Sequence, residues 1–160
     1  MDDLPDAIGS AAAGLFGALP LSAAMNRLVV TRGGDEQAVQ LADQVVQQPV
    51  IAGRPALVAA VWLYVDELDA SHRVSQGIDD ATGSFWHGIM HRREGDFSNS
   101  HYWFRRVGDH PAMAMIDGYD GHRFIDEVQA AHGRGEDPPK LVEMQRREWA
   151  TLFIFCAGQG

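Results

Sequence analysis

Histidine and carboxylate side chains stand at helical spacing in the middle of the chain. In Ser84-Phe85-Trp86-His87-Gly88-Ile89-Met90-His91-Arg92-Arg93-Glu94, the residues His87, His91 and Glu94 occupy positions i, i+4 and i+7. A helix advances about 100° per residue, so the three fall within an arc of roughly 60° on one face. Two imidazoles one turn apart can bind a single metal ion. A carboxylate one turn further on can add a ligand or serve as a base.

Two other segments aim comparable groups at an apolar interior. A helix is predicted over Ala56–Gln76, with Leu57, Val61, Val65 and Leu68 as its apolar stripe. That stripe runs on to His72 and reaches Gln76 at its edge, with Asp69 at the margin and Asp66 and Glu67 off it. A last helix is predicted over Lys140–Cys156, and Glu148 stands among its apolar residues Leu141, Met144, Leu152 and Phe155. A buried carboxylate is costly unless it is paired or bound to a cation. Helical bundles build core sites from inward-facing groups on separate helices.

From Arg92 to His110 the chain mixes arginines, aromatics and amides with few aliphatic residues. Guanidinium forks suit carboxylates and phosphates, and flat rings suit stacking, so this composition reads as a pocket wall. The candidate metal ligands are therefore His72, His87 and His91. Glu94 and Glu148 are the candidate catalytic carboxylates. Gln76, Arg92, Asn99, Tyr102, Arg105 and Arg106 are the candidate substrate contacts.

Each signal also has an ordinary explanation. A histidine pair at i, i+4 is frequent on helix surfaces. His72 can be a core histidine bonded to a carbonyl or an acid. Glu148 can be the partner of an arginine from Arg92–Arg106. The paired Glu-x-x-His signature of diiron carboxylate proteins is absent, as are a Gly-rich phosphate loop, a Gly-x-Ser-x-Gly elbow and a His-Glu-x-x-His motif.

The leading expectation is a small metal-dependent enzyme acting on a small polar or anionic molecule. Three protein ligands leave a position open for water or substrate. Histidine and carboxylate ligands suit a divalent zinc, iron or manganese ion. The alternative is a non-catalytic protein that binds a small ligand or a partner, with the same residues in a metal-free buried polar network.

The strings Leu68-Asp69-Ala70-Ser71-His72, Phe85-Trp86-His87-Gly88-Ile89-Met90-His91-Arg92-Arg93-Glu94-Gly95-Asp96-Phe97-Ser98-Asn99 and Tyr102-Trp103-Phe104-Arg105-Arg106 together resemble a group of uncharacterised bacterial hypothetical proteins. The resemblance implies kinship and brings no activity, cofactor or substrate with it.

These residues need a scaffold, and the periodicity predicts an all-α one. The 160 residues suit a single domain with a bundle-like core of about five to seven helices. Beyond the helices above, the pattern predicts helices over Asp6–Leu19, Glu36–Gln47, Phe85–Arg93 and His122–His132, with a short helical piece over Leu21–Val30, and it leaves Asn99–Val107 open as one more helix. Asp35 and Ser84 are placed to cap, and Pro49 to end a helix.

Net charge is −9 with histidines neutral, which disfavours nucleic acid as a partner. The uncharged stretch Ala7–Met25 follows Asp2, Asp3 and Asp6 rather than basic residues. Glycines and Pro20 interrupt it, so it reads as neither a secretory leader nor a membrane span. A lone cysteine, Cys156, fits a cytoplasmic, reducing setting.

Overall fold

In the computed structural model, residues 4–159 are described, and they form ten helices with no strand among them. The ten exceed the predicted five to seven because one predicted helix is broken and two single-turn helices join others. No described helix is long and apolar enough to cross a membrane.

The first three helices are α1 (Asp6–Ala18), α2 (Glu36–Val46) and α3 (Pro49–Ala52). Asp6 opens α1 from its first turn while Pro5 takes the capping position. The predicted helix over Leu21–Val30 does not form: Ala24 and Met25 lie in turns, and Met25 has φ 49°. Its carbonyls are claimed by side chains instead. Gln145 donates to Met25 O and Arg27 O at 3.0 and 2.9 Å, and Arg146 Nε donates to Ala24 O at 2.8 Å. Asp35 caps α2 as predicted, accepting from the N–H groups of Gln37 and Ala38. Pro49 starts α3 rather than only closing α2, since a proline costs nothing at a first helical position.

The predicted Ala56–Gln76 helix is two helices, α4 (Pro55–Tyr64) and α5 (Leu68–Ser75). The break falls at Asp66, whose φ of 63° lies in the left-handed region. There Asp66 forms an ion pair with Arg93, a wholly buried guanidinium, at 2.7 Å. That pairing outweighs the local helical preference. α4 is buried on nearly all sides, and α5 turns away to run beside α6 (Ala81–Glu94).

α6 is the central element, buried continuously from Gly83 to Arg93. Asp80, not Ser84, caps it by accepting from Gly83 N at 2.8 Å, so it starts a turn earlier than predicted. Gly95, at φ 87°, ends it in a left-handed cap. Next come α7 (Phe97–Val107), capped by Asp96, and the short α8 (Pro111–Ala114), capped by His110. α9 (Gly121–Gly133) is capped by Asp120, and α10 (Pro139–Ala157) closes the chain.

The main core lies between α1, α4, α6 and α10, where Phe16, Tyr64, Trp86, Trp149 and Phe153 pack ring against ring. Trp149 Nε1 donates to Ala60 O at 2.9 Å, which satisfies the indole inside the core. The apolar end of α10 is core: Leu152, Phe153 and Cys156 are buried.

Candidate functional site

His72 on α5 and His87 and His91 on α6 converge. One ring nitrogen from each lies within 4.8 Å of the others. The ring centroids stand 4.7 Å apart for His72–His87, 5.4 Å for His72–His91 and 4.7 Å for His87–His91. Four-coordinate zinc holds imidazole nitrogens at about 2.0–2.1 Å, which places ligand atoms about 3.3 Å from one another.

The helix break positions His72. Because α5 starts afresh at Leu68, it lies against α6, and Ser71 Oγ ties it back to α4 by donating to Ala59 O at 2.9 Å. His87 is 3% exposed and its Nδ1 has no hydrogen-bond partner among the described residues. Its ring lies between His91 and the indole of Trp103, the latter stacked at 3.9 Å and 16°. Burial chiefly, and then the neighbouring His91 and His72, push the His87 pKa down to about 4. The imidazole is therefore neutral at physiological pH, which is the form that binds metals.

His91 is held at both nitrogens. Its Nδ1–H donates to Glu94 Oε1 at 2.5 Å, and Asn99 Nδ2 donates to its Nε2 at 3.1 Å. A carboxylate on the far nitrogen fixes the tautomer and raises the basicity of the other nitrogen. His91, Glu94 and Asp96 form a second group of the same compactness. Glu94 is partly exposed and borders a cleft of about 200 Å³ that also reaches Arg32 and Asp69.

The other candidates are dispersed. Glu148 is fully buried in a separate network, bonded bidentately to Arg92 at 2.8 and 2.5 Å and accepting from the Tyr119 hydroxyl. Neither Glu148 nor Arg92 is available to a substrate, so the expected roles of Glu148 as a base and Arg92 as a contact do not hold. The charges of the pair cancel where no water reaches, and Arg92 Nε alone of the guanidinium nitrogens has no hydrogen-bond partner among the described residues. Burial opposes charge on Arg92, but Glu148 more than compensates and holds its pKa above the ordinary value. Tyr119 is pushed well above the ordinary phenol range, first by burial and then by Glu148.

Gln76 is exposed at the end of α5, since the break rotates it off the interior stripe. Arg105 is exposed on α7. Tyr102 is 46% exposed and meets Trp103 edge-on. Arg106 lies over the Trp103 ring, 5.3 Å from its centroid, and the same indole stacks on His87. Of the six candidate substrate contacts, only Asn99 touches a histidine of the cluster, and Arg106 approaches it through one ring. Trp103 and Asp96 were not singled out from the sequence. The aromatic run around Trp103 was the only hint, and it does not say which ring turns toward His87.

No protein family, curated protein or solved structure matches the chain.

Proposed function

We propose that this protein is a small metal-dependent enzyme whose ion is held by His72, His87 and His91, with Glu94 as the carboxylate beside them. The observation that carries this reading is the convergence of the His72, His87 and His91 imidazoles, and it is supported by a buried His87 Nδ1 that has no hydrogen-bond partner among the described residues. An unsatisfied nitrogen so deeply buried is unfavourable unless something binds it. Three nitrogen ligands favour zinc or iron over manganese, which prefers oxygen. The ion would supply Lewis acidity and an acidified bound water at the open position. Glu94 fixes His91 through one oxygen and borders the open cleft, where it can accept a proton. Arg106, which lies over the Trp103 ring that stacks on His87, is the candidate basic contact for a small polar or anionic substrate.

A second reading rests on the Asn99–His91–Glu94 chain, which already satisfies both His91 nitrogens. In it the cluster is a metal-free polar network. Elemental analysis of untagged protein, beside a His87→Ala/His91→Ala variant, separates the two. One ion per chain, lost in a variant that keeps its circular dichroism, supports the enzyme reading. No metal in the wild type, and no uptake of added zinc, iron or manganese, leaves the network.

A further inference from the structure

A second set of imidazoles lies on the opposite flank of α7, away from the metal-ligand candidates. His101 on α7 and His122 on α9 bring their Nδ1 atoms to 2.7 Å, and Asp126, one turn beyond His122, lies 3.0 Å from His101 Nε2. The two rings are parallel to 5° with centroids 5.1 Å apart. With the nitrogens so much closer than the centroids, the rings meet edge to edge, which aims the lone pair of one Nδ1 at the N–H of the other.

The carboxylate decides the direction of that bond. Asp126 accepts from His101 Nε2–H, so the neutral His101 presents a lone pair at Nδ1. His122 must then be the donor, through Nδ1–H, and its Nε2 carries a lone pair. No hydrogen bond to that Nε2 is made among the described residues. His122 also borders a cavity of about 590 Å³ whose walls include Phe104, Met113, Tyr119 and Asp120.

A reactive side chain, a base in hydrogen-bond reach and a third group orienting the base together define an activated nucleophile. We propose that His122 is a nucleophilic imidazole activated by His101 and Asp126, and that its cavity accepts a small neutral acyl donor with an apolar leaving group. Phe104, Met113 and the Tyr119 ring suit the apolar part. Asp109 and Asp120 outnumber Arg105 on the rim, which disfavours an anion.

The step balances in atoms and charge. His122 Nε2 attacks the carbonyl carbon, an N–C bond forms, and the C–O bond to the aryl oxygen breaks, with the oxide leaving on its electron pair. The His122 Nδ1 proton passes to His101 Nδ1, where Asp126 stabilises the imidazolium, and is then released to solvent, which balances the charge of the departing oxide. Water cleaves the N–C bond, releasing the acid and returning a proton to His122. His122 is the catalytic residue of this step, and His101 and Asp126 position and activate it.

The test uses 4-nitrophenyl acetate with the full chain. The expected result is saturable hydrolysis with one acetyl group trapped on His122 by acid quench and mass mapping. His122→Ala should fall to the rate of free imidazole. Asp126→Asn should lose about 100-fold, the usual size of a general-base contribution, while Asp126→Glu restores most of it. His132→Ala, at an exposed histidine elsewhere, should change nothing. Linear, non-saturating kinetics, an acetyl group mapped elsewhere in the wild type, or equal rates for Asp126→Asn and Asp126→Glu would overturn the proposal. The mapping is made on wild-type protein, so it decides even if a variant folds poorly.

Discussion

Glu94 concentrates the residue-scale question in one contact. It is partly exposed, yet one of its oxygens reaches the buried His91 at 2.5 Å. An uncharged acceptor at this position would still hold the imidazole ring but would raise the basicity of its other nitrogen less. Glu94→Gln is therefore expected to weaken zinc binding about 10- to 100-fold without unfolding the chain. Competition against a chromophoric chelator measures this directly, and an unchanged affinity would remove Glu94 from the site. At this scale the sequence was informative about identity. The i, i+4, i+7 spacing placed His87, His91 and Glu94 on one helix face, and helical geometry alone guarantees that relation. It said nothing of Trp103 on His87 or Asn99 on His91, because those contacts cross between helices.

At the scale of elements, the crossing of α6 and α7 is what brings Asn99 and Trp103 to the histidines. Two glycines allow it: the Phe104 ring lies against Gly88 of α6 on one edge and Gly121 of α9 on the other, with no room for a methyl group at either. Ser100 Oγ donates to Gly88 O at 2.7 Å and fixes the crossing. Gly88→Ala should force the helices apart and cost about 1–3 kcal/mol, the usual penalty of overpacking, despite alanine's better helix propensity. Urea denaturation reads the loss, and a stabilised variant would show that the crossing yields easily.

His110 carries an element-scale prediction with a defined sign. Its Nδ1 accepts from Ala112 N at 3.1 Å to cap α8, and its Nε2 meets Thr82 Oγ1 at 3.1 Å. Burial, opposed by nearby Asp80, holds its pKa below the ordinary 6.5. The unfolded chain therefore binds this proton first as pH falls. The stability that neutral His110 contributes is complete above about pH 6.5 and is lost as pH drops through the folded-state value. Urea midpoints at pH 7.5 and 5.5 should differ by more in the wild type than in His110→Asn, which keeps a capping group but does not titrate. An equal difference in both would mean that other groups set the acid sensitivity.

For the whole molecule, the Arg92–Glu148 pair joins α6 to α10 through the deepest part of the fold, with Tyr119 bonded to Glu148 and the Phe124 ring 4.4 Å under the guanidinium. Glu148→Ala would strand a buried guanidinium and should cost about 3–5 kcal/mol. An Arg92→Met/Tyr119→Phe/Glu148→Leu triple substitution should recover most of that, because it leaves neither a charge nor the Tyr119 hydroxyl without a partner. Thermal or urea unfolding tests both. A mild effect of the single substitution would mean that water reaches the pair.

The sequence by itself determined the helical class, most of the helices, the Asp35 cap of α2, and the face shared by His87, His91 and Glu94. These depend on local periodicity and on side chains reaching their own backbone a few residues away. It also raised Glu148 both as a site residue and as an arginine's partner, and nothing local chooses between the two. Only the tertiary structure decided that Arg92 takes Glu148, that Arg93 takes Asp66 and breaks the α4–α5 helix, and that Gln76 thereby turns outward. Each outcome depends on where a buried charge finds its opposite among residues distant in the chain, and desolvation makes that pairing strong enough to override local preference.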